Sequence, residues 1–263
     1  YGFKLTFQSV IDIGGAALLI DAVVVAFTIL LGAGLGRLLK MDRDTALLTS
    51  IGSSICGAAA VLGAEPVVKS QPYKAAVAVS TVVIFGTLSM FLYPALFRAG
   101  MLDLTTEQMG LFTGATLHEV AHVVGAGNAM GQAISDPAII VKMIRVMMLA
   151  PVLVILSIIL SRREAAAGQT GQKRKITIPW FAFLFLAVIG FNSLHLLPSG
   201  VVSAINSLDT FLLTMAMTAL GAESSFEKFK KAGARPFLLA ALLYAWLFFG
   251  GYWLVKGMTA WMA

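Results

Sequence analysis

The chain has 263 residues, 59% hydrophobic and only 12% charged, with a mean hydropathy of +0.89. A soluble domain carries about 25% charged residues, so this composition excludes one and requires a polytopic membrane protein. The net charge of +6 lies in short loops, where it reports membrane orientation rather than nucleic-acid binding.

A span needs about 20 mostly apolar residues. Eight candidates follow in chain order, near 14–39, 45–64, 74–97, 108–128, 137–160, 178–197, 203–221 and 236–260. The chain starts at Tyr1 rather than Met, and upstream residues, including further spans, are expected. Nothing resembles a cleavable signal peptide. The whole chain reads as one transmembrane domain, with residues 161–175 as a cytoplasmic linker. Arg37, Lys40 and Arg43 follow the first span; Arg162, Arg163, Lys173, Arg174 and Lys175 the fifth; Lys228, Lys230, Lys231 and Arg235 the seventh. If every span crosses, these loops share one side, which the positive-inside rule makes cytoplasmic. Lys69 and Lys74 then fall outside, against that rule, as does the C-terminus.

Asp21 in the first span is a candidate buried acid. The second segment, Gly52 to Gly63, is a poor lipid-facing helix, with glycines at 52, 57 and 63, Ser53, Ser54 and a closing Glu65-Pro66. Two readings fit it. Small residues allow close helix packing. They also allow a helix break, whose exposed N–H groups and positive dipole end favour an anion, with Ser53 and Ser54 adding hydroxyls. Cys56, the one cysteine, excludes a disulfide framework and a cysteine-rich metal site.

The fourth segment carries His118-Glu119-Val120-Ala121-His122. An ionisable residue deep in a span costs about 2.5–3.5 kcal/mol, so three within five positions need partners, water or a task. On a continuous helix His118 and His122 share a face, as zinc ligands do, with Glu119 as general base. That protease also needs a third ligand. Leu208-Asp209-Thr210 lacks the glycine of the L-D-G motif that supplies it in intramembrane site-two-type enzymes. Alternatively, His118 and Glu119 line a pathway and bind solute, a proton or sodium. Packing between helices is a third reading. Lys142 and Arg145, three residues apart near the end of the fifth span, read as snorkelling to the interface; turned inward, they attract an anion. Pro151 is expected to kink that span. Asn192 and His195, before Pro198, read as capping or interfacial, and Asp209 as a buried acid or an interfacial helix start.

Two internal likenesses stand out. Gly2, Phe7 and Gly14 match Gly221, Phe226 and Gly233 at one offset of 219, on opposite sides of the membrane, as in an inverted repeat. Gly52–Gly63 matches Gly114–Gly125 at an offset of 62, pairing Ser54 with Thr116 and Cys56 with His118. If both segments cross fully they run parallel and are not an inverted pair.

Together, Gly52-Ser-Ser-Ile-Cys-Gly-Ala-Ala-Ala-Val61, Glu65-Pro-Val-Val-Lys69, Val82-Val-Ile-Phe-Gly86, His118-Glu-Val-Ala121, Arg145-Val-Met-Met-Leu-Ala-Pro151, Ile176-Thr-Ile-Pro-Trp180 and Leu208-Asp-Thr-Phe-Leu-Leu213 with Ala216-Met217 resemble the YeiH-type family, bacterial inner-membrane proteins assigned as sulfate exporters. The resemblance covers essentially the whole chain. Its members are longer at the N-terminus and usually carry Gln at position 122, which weakens any role needing two histidines. It implies a fold similar to inverted-repeat carriers related to bile-acid and sodium–proton transporters, and an anion as cargo.

The reading is therefore an all-α, inverted-repeat secondary transporter of the inner membrane, with broken helices near the midplane. Its cargo is a small inorganic anion such as sulfate or a related sulfur oxyanion. Gly52, Ser53, Ser54, Cys56, Gly57, Thr116, His118 and Arg145 are the expected substrate site, and Glu119 with His118 the expected coupling site for H+ or Na+. No cofactor, metal, enzymatic activity or nucleic-acid partner is expected; the bilayer is the other partner, and homo-oligomers are compatible. The alternatives are the zinc protease and a membrane scaffold. No phosphate-binding loop motif occurs, which argues against ATP-driven pumping by this chain.

Overall fold

The computed structural model describes residues 3, 6–8, 15–166, 180–223 and 233–262, and every regular element among them is helical. The chain runs through α1 (Gly15–Leu38), α2 (Arg43–Ser54), α3 (Ala58–Val68), α4 (Pro72–Arg98), α5 (Thr106–Thr116), α6 (Val120–Met130), α7 (Gln132–Met147), α8 (Leu149–Ala166), α9 (Trp180–Ser193), α10 (Ser199–Glu223), α11 (Ala234–Ala245) and α12 (Gly251–Met262). One turn of π-helix, Trp246–Gly250, joins the last two. Four stretches are long and apolar enough to cross a bilayer: Ala17–Leu38, Pro72–Arg98, Gln132–Arg162 and Ala234–Ala260. Their outward side chains, Leu30, Phe91 and Trp253 among them, are large, apolar and exposed, as lipid contact requires.

The second and fourth expected spans are different. Each is a pair of short helices of 11 or 12 residues. At 1.5 Å per residue such a helix reaches about 18 Å, roughly half a bilayer core. The first pair turns back. After α3, Lys74 at the start of α4 lies 2.9 Å from both Asp42 and Asp44 at the start of α2. Both ends of the α2–α3 unit therefore sit on one face. A Cβ on Gly52 would meet Val61 of α3 and Val82 of α4, so α2 and α4 descend side by side while α3 folds back.

The second pair turns back on the other face. Arg98 at the end of α4 donates to the Ala129 carbonyl at the end of α6, at 2.6 Å. Gln108 at the start of α5 is tied to Thr259 of α12, at 2.7 Å. The 27 residues of α4 span about 40 Å and separate the two faces. So α1, α2 and α3 are repeated, inverted, as α4, α5 and α6.

This corrects two expectations. The 45–64 and 108–128 segments do not cross, and the likeness at offset 62 is an inverted pair: α3 spans 58–68 and α6 spans 120–130, the same offset. Lys69 and Lys74 lie on the face of Arg37, Lys40 and Arg43, which removes their conflict with the positive-inside rule. The likeness at offset 219 and the 161–175 linker fall mostly outside the described residues.

Local chemistry sets these boundaries. The Asp42 carboxylate accepts from Thr45 N–H at 3.1 Å and starts α2. Thr105 and Gln108 form a reciprocal capping box at α5. Lys69, in left-handed conformation, ends α3 before Pro72 opens α4. Helix α7 gives way to α8 at Met148, three residues before Pro151, whose ring lacks the N–H that would bond to Met147. Outside the apolar layer, burial pushes the Asp42 carboxyl up, but hydrogen bonds from Lys74 and Thr45 outweigh it and hold the group below its ordinary value.

Candidate functional site

The two hairpin tips meet in the middle of the molecule. In the first, Ile55 closes α2, its N–H bonding to Ile51 at 3.1 Å. The chain then reverses through Cys56 and Gly57, and Gly57 stands at φ +73, ψ −132, a region essentially limited to glycine. In the second, Leu117 leaves α5 extended and Glu119 is the extended N-cap of α6. His118 is therefore not helical, and it does not share a helical turn with His122. Among the described residues no group of three or more His, Cys, Asp or Glu side chains is placed to hold a metal. The zinc-protease reading loses both its ligand geometry and its third ligand.

The C-terminal ends of α2 and α5 converge with carbonyls exposed and negative dipole ends aligned. Two fully buried cations from α7 fill that gap. Lys142 Nζ donates to the Ile55 carbonyl at 2.6 Å and the Leu117 carbonyl at 2.7 Å. Arg145 donates to Ser54 at 2.6 Å, to Ser53 at 3.2 Å, to Ala115, and more loosely to Gly114 and Leu117 at 3.4 Å. Ile55 and Leu117 are equivalent at the offset of 62, as are Ser53 and Ala115. Each cation thus bridges carbonyls from both repeats. Burying a cation costs several kcal/mol; carbonyl bonds at about 1.5–3 kcal/mol each, together with two helix C-termini, offset it. The expectation that Lys142 and Arg145 snorkel is overturned: both are 0% exposed. Asp21, on α1, is also fully buried, and neither carboxyl oxygen has a hydrogen-bond partner.

The N-terminal ends of α3 and α6 also face the junction. Glu119 does not cap its own helix. Its Oε1 accepts from Ala58 N–H at 3.0 Å, at the N-terminus of α3 in the other hairpin. Its Oε2 lies 3.8 Å from His122 Nδ1. Glycine at 57 makes the room, because a Cβ there would stand 2.2 Å from Glu119 Cγ.

The remaining expected residues divide. Ser53 Oγ is buried without a partner, as are both ring nitrogens of His118. Ser54 Oγ donates back to Ile51 at 3.0 Å and is spent locally. Thr116 Oγ1 donates to the Phe112 carbonyl at 2.6 Å, so the Tyr93 hydroxyl, 2.9 Å away, is the donor to Thr116. Gly52 packs on Val61 and Val82, and Cys56 is buried in the tip. Lys142, not among the expected site residues, is tied from α7 to both tips. Sequence reasoning missed Gly86, where a Cβ would fall 2.3 Å from His122 Nδ1. A cavity of about 800 Å³, lined by Asn192, His195 and Ser203 among others, lies between α9 and α10 and includes no tip residue.

Two hairpins entering from opposite faces, with buried polar tips in contact, define a multi-pass membrane protein of inverted-repeat architecture. The chain belongs to the family described as conserved hypothetical protein 698, whose model matches residues 1–240. It is 65% identical over 263 residues to a UPF0324 membrane protein of Bacteroides thetaiotaomicron, covering all of this chain and 78% of the relative. It is 51% identical over 261 residues to UPF0324 membrane protein PA5383 of Pseudomonas aeruginosa, covering 97% of this chain and 74% of the relative. It is 49% identical over 252 residues to the UPF0324 inner membrane protein YeiH of Escherichia coli K12, covering 95% of this chain and 72% of the relative. The resemblance to the YeiH-type family and the multi-pass, inner-membrane placement it implied both hold. No solved structure matches the chain.

Proposed function

We propose that this protein is a secondary transporter, an exporter of a small inorganic anion such as sulfate or a related sulfur oxyanion. The observation that carries the reading is the contact of two inverted hairpin tips at mid-membrane, with Ser53, His118 and Glu119 buried there and keeping unused hydrogen-bonding atoms. Buried polar groups without partners are rare and call for an explanation, and a solute supplies one. An anion suits the junction. The N-termini of α3 and α6 present positive dipole ends. Lys142 and Arg145 cancel the opposing C-termini.

The proton is favoured over sodium as coupling ion. A sodium ion takes oxygen ligands, and the tip carbonyls of Ser53, Ser54, Ile55 and Leu117 are already engaged by tethered cations. Glu119 and His118 remain as the groups that exchange protons.

Purified protein in liposomes loaded with sulfate is expected to exchange it for external radiolabelled sulfate. Ser53→Ala should weaken sulfate binding by about 1.5–3 kcal/mol, the worth of one hydrogen bond to a charged group. Ser54→Ala, whose hydroxyl is spent on Ile51, should change it little. Liposomes that exchange none of sulfate, sulfite and thiosulfate would sink this reading.

A further inference from the structure

We propose that the Glu119 carboxylate is a tethered stand-in for the transported anion, holding the N-terminus of α3 while the site is empty and yielding it, on taking up a proton, when the anion binds. The inference rests on the transport reading and deepens it.

Glu119 Oε1 accepts from Ala58 N–H at 3.0 Å, at the positive end of an 11-residue helix. That helix has no cap of its own, because its N-cap is Gly57. The carboxylate comes from the opposite hairpin and fills the space that a side chain at 57 would take. In the inverted repeat Gly57 is the counterpart of Glu119, so α6 receives no such carboxylate in return. A carboxylate bonded to one amide at a helix N-terminus is bound as an oxyanion would be.

The surroundings hold more donors and acceptors than Glu119 uses. Its Oε2 has no hydrogen-bond partner. Ser53 Oγ and both nitrogens of His118 are unpartnered, with Ser53 0% and His118 1% exposed. A sulfur oxyanion has oxygens for donors beyond Ala58 N–H, such as the Ser53 hydroxyl and the one N–H of a neutral His118. A side-chain carboxylate has two, one of which is already placed.

The titratable groups around Glu119 come from every side. His118 and His122 belong to its own tip, Cys56 to the opposite tip, and Lys142 with Arg145 to α7. Tyr244 of α11 lies beside His118, ring centroids 6.4 Å apart, and α4 brings Thr87 to His122 at 3.4 Å. In the exchange, one proton from the aqueous face in contact with the site adds to the carboxylate. His122 Nδ1, 3.8 Å from Oε2, stands close enough to pass it on. The neutral acid gives up Ala58 N–H and an anion oxygen replaces it. When the anion leaves, the proton leaves and the carboxylate returns. Proton and anion therefore occupy the site together and cross together, and a sulfur dianion with one proton keeps a net negative charge that an inside-negative potential drives outward.

Proton linkage makes this measurable. With one proton taken up per anion, sulfate affinity in the wild type tightens by up to about tenfold for each unit of falling pH, over the range in which the carboxyl is ionised. Glu119→Gln is expected to bind sulfate with no such slope. Its affinity at neutral pH should equal or exceed that of the wild type at low pH, and exchange should persist while pH-gradient-driven transport is lost. Infrared difference spectra of wild-type protein should show a protonated-carboxyl band appear on adding sulfate. That measurement needs no variant and decides the matter even if Glu119→Gln folds poorly. An unchanged pH slope in Glu119→Gln, weaker binding by it, or no carboxyl band overturns the inference while wild-type exchange keeps the transport reading. A wild type that neither binds nor exchanges sulfate, sulfite or thiosulfate overturns both.

Discussion

Replacing Arg145 by Leu is expected to abolish the folded protein. Its guanidinium serves carbonyls of Ser53, Ser54 and Ala115, with longer contacts to Gly114 and Leu117. Leucine donates nothing, and the position is 0% exposed, away from bulk solvent. Each buried carbonyl left unpaired costs about 1–3 kcal/mol. Three or more together approach or exceed a typical net stability of about 5–15 kcal/mol. Arg145→Lys keeps the charge but loses the planar fork, so it should retain part of the stability. Thermal unfolding of detergent-purified protein, followed by size exclusion, measures both. An arginine snorkelling at the interface would tolerate Leu within about 0.5 kcal/mol, so a near-normal melting profile would return it there.

Gly57→Leu is expected to eliminate anion exchange while leaving the protein inserted in the membrane. Two independent effects act at this position. The backbone stands at φ +73, ψ −132, which costs a side-chain-bearing residue about 1–3 kcal/mol. The new Cβ would also fall 2.2 Å from Glu119 Cγ and 2.7 Å from its Oε1, forcing the carboxylate off Ala58. The milder Gly57→Ala separates the two effects. Combined with Glu119→Ala, which removes the clash, its stability loss should shrink to the backbone cost alone, giving a coupling energy in a double-mutant cycle. Strict additivity of the two substitutions would show that Gly57 and Glu119 do not touch.

Much of this arrangement is written in the sequence, but not its direction. Apolar length and the small-residue run around Gly57 are local signals, and the helix breaks there as one of its two readings expects; the cap at Asp42 and the Thr105–Gln108 box are local signals that the span limits at 45 and 108 do not use. Hydropathy counts apolar residues and says nothing of whether a segment crosses or returns. The 45–64 and 108–128 stretches each have enough length to cross, so their return was invisible. The second tip is harder still. No glycine or proline lies between Leu117 and Glu119, so the run from His118 to His122 reads as one helix. The only hint of a break is the likeness to the first tip at offset 62. A fifth span starting at 137 puts Lys142 and Arg145 near its end. Helix α7 begins five residues earlier, at Gln132, and carries Asp136 and Pro137 in its second turn, so position 145 lies mid-membrane rather than near an end. That two cations are stable there depends on nine residues from two distant tips, Ser53–Cys56 and Gly114–His118, whose meeting is a tertiary fact.

The central claim is that both broken segments return to the face they entered from. Single cysteines at Asp42, Ser70 and Gly131 in a Cys56→Ser background, treated with a membrane-impermeant thiol reagent, test it directly. Positions 42 and 70 should react only in inside-out vesicles, because both lie on the lysine- and arginine-rich face, which the positive-inside rule assigns to the cytoplasm, and position 131 only in right-side-out ones. Reaction of position 70 from the side opposite position 42 would mean that residues 43–68 cross the membrane, and the inverted hairpins with their shared junction would not exist.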